Sequence, residues 1–295
     1  MKDDLNNSLV LVLNGLGLGP CLFDIASGIE QQSAAEGIHC VLATTHGIHE
    51  REIAVAAEMA SQGVGLVALI GSTRDTEDYR TNVAALAREL DAAGSRLVLA
   101  GRPSPGADLP LTVVDYDNEG GAFSLTSHLL SAGHERILFL GGGEDTTTAA
   151  RITGYCRAVQ AYGYTPDREL VAAHGNCSQL GPNGVRAILR GMPSDVTAVF
   201  AWDDELAVCA ITQLKADGVP VPEEVSVVGF NNLLPYAEHQ RPALTTAHVP
   251  FFDVGRHAVK LAAHREEPGL RHAQQVTLGT HVVFRDSVAA RVARC

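Results

Sequence analysis

Positive charge, aromatic rings and paired cysteines are all scarce in this chain. Lysine and arginine number 22 against 34 acidic residues, so the formal net charge is -12 over 295 residues. Such a surface repels a phosphate backbone unless its bases are gathered in one place, and no basic run or basic helix gathers them. On that balance the polypeptide alone is not expected to grip DNA. The six cysteines, at 21, 40, 156, 177, 209 and 295, include no Cys-x-x-Cys pair and mostly sit in or beside apolar segments, where a thiol behaves as a small hydrophobe. That usage suits a reducing compartment. No segment reaches 18 apolar residues without a charge, and the start "MKDDLNNS" is polar and acidic where a secretory leader is basic and then apolar. A cytoplasmic protein is the expectation.

Signatures of catalysis are missing as well. There is no Gly-x-Ser-x-Gly elbow and no acidic pair with evident catalytic spacing, so no catalytic residue is predicted and the chain is not expected to be an enzyme. Among the twelve histidines, His46 and His49 are followed by Glu50 but straddle a glycine-containing loop without a third convincing ligand. Neither a metal nor another cofactor is expected.

What is present is alternation. Apolar residues make up 46% of the chain, enough for one large core or two medium ones. "SLVLVLN" (8–14), "HCVLATT" (39–45), "GVGLVALIG" (63–71) and "SRLVLAG" (95–101) read as strands, with helices around 21–36, 49–61 and 79–93. Each run is continuous rather than alternating, as a parallel sheet covered on both faces requires. "RPSPGADLP" (102–110), with three prolines, reads as the passage between two lobes. The alternation resumes with "LTVVDYD" before helix 118–132, "RILFLGG" before 148–162, "ELVAAHG" before 181–190 and "VTAVFAW" before 204–217. "EVSVVGFNN" (224–232) is then a fifth strand of the second set. Residues 244–269 hold a short extended run and one further helix, and "QQVTLGTHVVFRDS" closes with β character. The expected fold is α/β, two doubly wound parallel-sheet lobes with interlobe crossovers. The lobes are placed at 8–115 plus approximately 247–275, and at 116–246 plus approximately 276–291, with a ligand cleft facing the C-terminal ends of the strands.

The stretch "NGLGLGP" (14–20) tests a nucleotide reading. A dinucleotide fingerprint is Gly-x-Gly-x-x-Gly with an acid about 20 positions on. Here Gly15, Gly17 and Gly19 alternate before Pro20, one position out of spacing, and the second strand ends "LATTH" without an acid. No Gly-Lys-Ser/Thr follows, which excludes Walker A. The loop reads as a flexible strand-to-helix connection, with Pro20 suited to the first turn of a helix, or as one that also lines a small-molecule cleft.

Several motifs in order carry a family resemblance. "VPVPEEVSVVGFNNLLPYAEHQRPALTTAHVPFFDVGRHAVKLAAH" (219–264) holds Val-Pro, the Val-Gly-Phe strand end, Pro-x-Leu-Thr-Thr and a Gly-x-x-Ala helix. "DNEGGAFSLTSHLLSAGHERILFLGG" (117–142), "ARITGYCRAVQAYG" (150–163) and "DDELAVCAITQLKADG" (203–218) follow the same order, and "GPCLFDIASGIE" (19–30) stands where the family reads Asn-Pro-Phe-Phe. Together they resemble the effector-binding part of the LacI/GalR family of bacterial transcription repressors, which shares a type I periplasmic binding protein-like fold with sugar-binding proteins. The likeness covers nearly the whole chain. The sequence begins almost at the first strand of that core, so the resemblance implies the core without the family's helix-turn-helix domain, with operator DNA a partner only if the full gene product carries one.

The resemblance also implies a site. Arg151 matches the arginine of Arg-x-x-Gly that reaches the family's cleft, and its fixed fork of donors suits two adjacent oxygens. Asn231 stands where the family has a ligand-binding aspartate, and Asp203 where it has an asparagine, so a carboxylate is exchanged between two positions. Trp202, the only tryptophan, offers a flat ring for a pyranose or a base. Tyr236, Leu22 and Phe23 are weaker ligand-binding candidates. Asp204, and Asp117 with Asn118, read as helix-terminal residues, and His134 as structural. The implied mechanism is reversible binding of a small polar effector, most often a sugar in this family, with lobe closure transmitted through a homodimer. The helices around 49–61 and 79–93 are plausible dimer faces. Two other readings are a solute receptor of a sugar transport system and a nucleotide-dependent α/β enzyme. No membrane partner is expected.

Overall fold

A computed structural model describes residues 7–16, 19–46, 48, 51–172, 175–264 and 273–291. The chain divides into two compact units, Met1–Tyr116 with Pro250–Leu278, and Asp117–Val249 with Gly279–Cys295.

The first unit contains β1 (Ser8–Leu13), α1 (Pro20–Ala35), β2 (His39–Thr44), α2 (Glu52–Ser61), β3 (Leu66–Ile70), α3 (Glu77–Ala92), β4 (Arg96–Ala100) and β5 (Leu111–Tyr116). After an excursion through the second unit, the chain adds α9 (Phe251–Ala263) and β11 (Gln274–Leu278). The sheet runs β11-β5-β4-β3-β1-β2 with every pair parallel. Val10, Val12, Val67, Leu69, Leu97 and Leu99 pack with α2 and α3, while the alternate residues Leu9, Leu11, Ala68 and Val98 are equally buried. Both faces are therefore covered, which is why these strands read as unbroken apolar runs. Pro20 starts α1 behind Gly19, whose backbone is extended, and Thr76 caps α3 by accepting from the Tyr79 amide at 3.1 Å.

Two glycines let α1 and α9 touch backbone to backbone. A methyl group on Gly28 would fall on the carbonyl oxygen of Phe252, and one on Gly255 on that of Ile25. The outermost strand β2 differs from its neighbours: Val41 and Leu42 are 40% and 55% exposed.

The residues of "LTVVDYD" pair with β4 inside the first sheet, in keeping with a lobe bound at 115, so the proline-rich stretch is an ordinary β4–β5 loop and not the passage between lobes. Prolines mark the loop but carry no information on which sheet the next strand joins.

The second unit runs α4 (Asn118–Ser131), β6 (Ile137–Leu140), α5 (Thr146–Ala161), β7 (Val171–Ala172), α6 (Cys177–Gly191), β8 (Ala198–Ala201), α7 (Asp204–Ala216), β9 (Ser226–Asn231), α8 (Tyr236–His239), β10 (Thr245–His248) and β12 (His281–Val283). Its sheet order is β12-β10-β9-β8-β6-β7, parallel except for the antiparallel pair of β10 and β12. The expected strand in "ELVAAHG" shrinks to two residues behind a 3-10 turn at Arg168–Leu170, and residues 173 and 174 lie outside the described ones. Within α6 Gly181 is non-helical (φ 61, ψ 171), so a short helical turn from Cys177 is followed by a separate helix opening at Pro182, which is the helix expected at 181–190. In both sheets the strand order reverses beside the first strand, between β1 and β3 and between β6 and β8. Such reversals open a crevice at the C-terminal strand ends.

Candidate functional site

At the reversal in the second unit, the chain leaves β6 through Gly141 and Gly142, with φ of 90° and 95°. A side chain on Gly142 would collide with Thr148 and the Trp202 ring, so this approach admits glycine alone. Asp145 then caps α5 by accepting from the amide and the hydroxyl of Thr148, both at 3.0 Å. This cap fixes the helix start, and less than two turns later Arg151 points back toward the strand ends.

Arg151 is 1% exposed. Its Nε donates to Asn118 Oδ1 at 2.9 Å, one terminal nitrogen to the Trp202 carbonyl, and the other to Asn231 Oδ1 at 2.9 Å. The guanidinium carbon lies 3.7 Å from the centre of the Phe230 ring and 5.1 Å from that of Trp202. A cation desolvated against ring faces gains on the order of 2 kcal/mol, which offsets part of the cost of burying it. Arg151, Asn231 and Trp202 are therefore brought together, at the start of α5 and the ends of β9 and β8. Asn231 is buried with φ 105°, a backbone region that asparagine tolerates better than most residues.

The neighbouring acids play separate parts. Asp203 caps α7, its Oδ1 accepting from the Leu206 amide at 2.8 Å. Burial raises its pKa, opposed by that amide and by the Arg151 charge. Asp204 is fully buried and accepts from the Thr246 hydroxyl at 2.5 Å and the Leu233 amide at 2.6 Å. Burial pushes its carboxyl up to about 7, against the pull of those two donors. It thus ties the loop after β9 to the start of α7, a structural task. Among the described residues the Trp202 indole nitrogen is buried without a hydrogen-bond partner.

The remaining candidates lie elsewhere. Tyr236 opens α8 and is partly exposed, beside the exposed Leu234. Leu22 and Phe23 belong to α1 in the first unit: Leu22 packs over Gly71, and Phe23 is 61% exposed. Two contributors escaped the sequence. Asp117 does cap α4, accepting from the Gly120 amide at 2.7 Å, but Asn118 beside it turns its carbonyl to Arg151. Phe230 looked like strand core, and only the position of the arginine reveals its face as a cation platform. Among the described residues no three His, Cys, Asp or Glu side chains are grouped to hold a metal; His49 and Glu50 are outside them.

The family model of the periplasmic binding protein-like domain matches residues 126–288. The chain is 33% identical over 271 residues to the HTH-type transcriptional regulator CelR of Thermobifida fusca, covering 91% of this chain and 76% of that protein. It belongs to the LacI/GalR family. The HTH-type transcriptional repressor PurR of Vibrio atlanticus (strain LGP32) is 29% identical over 270 residues, covering 90% and 76%. Among solved structures, a transcriptional regulator CelR–cellobiose complex superposes with a TM-score of 0.81 at 30% identity, over 95% of this chain and 84% of that one. The LacI/GalR core accounts for the two α/β units and for the motif order. Among the described residues no helix is long and apolar enough to cross a membrane.

Proposed function

We propose that this chain is the effector-sensing core of a LacI/GalR regulator whose effector is a sugar, bound at the ends of β8 and β9. The observation that carries the reading is the buried Arg151 fork, aimed by Asn118 and Asn231 and flanked by the Trp202 and Phe230 rings. Fork donors suit vicinal hydroxyls, and an adjacent aromatic face suits the apolar side of a pyranose. The cellobiose held by the CelR relative supports a sugar. In this reading Asn231, Asp203, Trp202 and Tyr236 contribute from the second unit, and Leu22 and Phe23 from the first. The effector acts by its differential affinity for two arrangements of the units, a homodimer passes the change on, and operator DNA is contacted through a domain outside this core.

For the dimer, β2 is a better face than the helices named from the sequence. It is an open sheet edge with exposed Val41 and Leu42, the kind of strand that folded proteins cover, and a second copy of the chain would cover it. Leu42→Glu should then yield a monomer by light scattering. A thermal-shift screen of monosaccharides, cellobiose and longer disaccharides, sugar phosphates, nucleosides and nicotinamide dinucleotides tests the ligand class. A saturable rise with a sugar is expected; a rise with a dinucleotide alone would contradict the reading.

A further inference from the structure

The sequence holds two Asn-Gly pairs, Asn14 with Gly15 and Asn183 with Gly184, and the structure treats them oppositely. Asn183 and Gly184 lie inside the helix that opens at Pro182, where helical dihedrals hold both backbones. Asn14 and Gly15 follow the end of β1 in a bend, Asn14 exposed and Gly15 partly so. A Cβ on Gly15 would meet no atom within 4 Å. Among the described residues the Gly15 N–H donates to no protein group, so it is open to solvent base.

The residue after β2 supplies a fixed donor beside this pair. Thr45 is 1% exposed and anchored by its own amide, which donates to the Leu13 carbonyl at 2.8 Å. Its hydroxyl donates to Asn14 Oδ1 at 2.8 Å and lies 3.3 Å from the Asn14 main-chain oxygen. A donor at Oδ1 draws electrons from Cγ and stands where negative charge gathers when a nucleophile adds to that carbon. The nucleophile at hand is the Gly15 nitrogen, already tied to Asn14 by the chain, so its attack closes a five-membered ring without losing translational freedom.

We propose that Asn14 is a site of spontaneous covalent modification, converted to aspartate and isoaspartate, with Thr45 as the residue that positions and polarises the reacting carbonyl. Solvent hydroxide takes the Gly15 amide proton, the nitrogen adds to Asn14 Cγ, and the side-chain nitrogen takes up a proton and leaves as ammonia. Water then opens the succinimide. Breaking the bond from the ring nitrogen to Cγ gives aspartate, whereas breaking the bond to the main-chain carbonyl leaves the backbone running through Cβ and Cγ. Nothing is oxidised or reduced. Ring closure needs a neighbour without a side chain and a rotation of the backbone, which a helix forbids unless it unwinds locally. Asn183 is thereby protected. Asn14 stands at the C-terminal end of β1, beside the reversal between β1 and β3, so the reaction places a new negative charge at the crevice of the first unit.

Peptide mapping by mass spectrometry, on the full chain held folded in mildly alkaline buffer, tests this. The peptide containing Asn14 should convert from amide to acid with a separable isoaspartate form, while the one containing Asn183 stays unchanged over the same period. Gly15→Ala should slow the conversion about 10-fold. Thr45→Val, which keeps the shape and loses the hydroxyl, should slow it about 5-fold. No conversion at Asn14 in wild type, or equal rates at Asn14 and Asn183, would overturn the site, and a wild-type rate in Thr45→Val would overturn the part given to Thr45. Neither result bears on the sugar reading, which uses other residues.

Discussion

Among the described residues each unit buries one arginine near the C-terminal ends of its strands, and the two are used differently. Arg102 in the first unit is 3% exposed and grips Glu52 with both terminal nitrogens, at 2.9 and 3.1 Å. It also donates to the carbonyls of Gly71 and Ile70 at 2.7 and 2.5 Å and to the Tyr79 hydroxyl at 3.3 Å. All five donors are spent on α2, α3 and the end of β3, so Arg102 is a strut. Arg151 in the second unit turns its fork to three uncharged oxygens and stacks between two rings. An uncharged amide oxygen, such as that of Asn231, can be exchanged for a ligand oxygen at lower cost than a carboxylate held by both terminal nitrogens, such as that of Glu52. The same residue type is thus a strut in one unit and, in the proposed reading, the recognition group of the other.

That contrast breaks most visibly at Arg102. Arg102→Ala should cost about 3–5 kcal/mol in denaturant unfolding, because it strands Glu52 and two carbonyls. Arg151→Lys should cost less than half as much in stability. If the two losses are equal, the distinction between strut and fork fails. Helix packing should, by contrast, be alike in the two units. Gly255→Ala would push a methyl into α1, and Gly154→Ala one into the backbone of α4 at Glu119. Each should destabilise by about 1–3 kcal/mol, read from the unfolding midpoint.

A pH series sharpens the difference further, since Asp204 belongs to the second unit. Its folded pKa of about 7 stands above the ordinary aspartate value of about 4. Between those values the folded state holds the proton that the unfolded state has released, so stability falls as pH rises from 4 to 7, by at most about 1.4 kcal/mol per unit. Asp204→Asn, which can accept from Leu233 and donate to Thr246, should flatten that slope; an unchanged slope would remove Asp204 as its source. The smallest effect belongs to Trp202→Phe. Removing a buried indole N–H that lacks a partner should change stability by no more than about 1 kcal/mol, while a sugar that accepts from the indole would bind more weakly.

The fold was legible wherever burial and periodicity coincide. Continuous apolar runs such as "SLVLVLN" are readable because both sheet faces are covered, and Pro20 marked the start of α1 by its own chemistry. The lobe bound at 115 agrees with β5 lying in the first sheet, whereas the three prolines before it point wrongly to a passage between lobes, because which strand pairs with which is a long-range choice that local composition does not encode. In α6 Gly181 and Pro182 look like a boundary and are one: the helix expected at 181–190 is there, and only the short turn before it, from Cys177, has no periodic signal. At the site, Arg151 and Asn231 stood out by motif. Asn118 was hidden behind its neighbour's capping role, and Phe230 behind its place in an apolar strand.

The proposed sugar site stands on Arg151 as the recognition arginine of the second unit. Calorimetric titration of the sugar found by thermal shift into wild type and Arg151→Lys tests it most directly. The lysine keeps the charge and loses the fork. A loss of affinity of about 100-fold, with the fold retained, is the predicted result. Equal affinities in the two proteins would contradict it and move recognition away from the ends of β8 and β9.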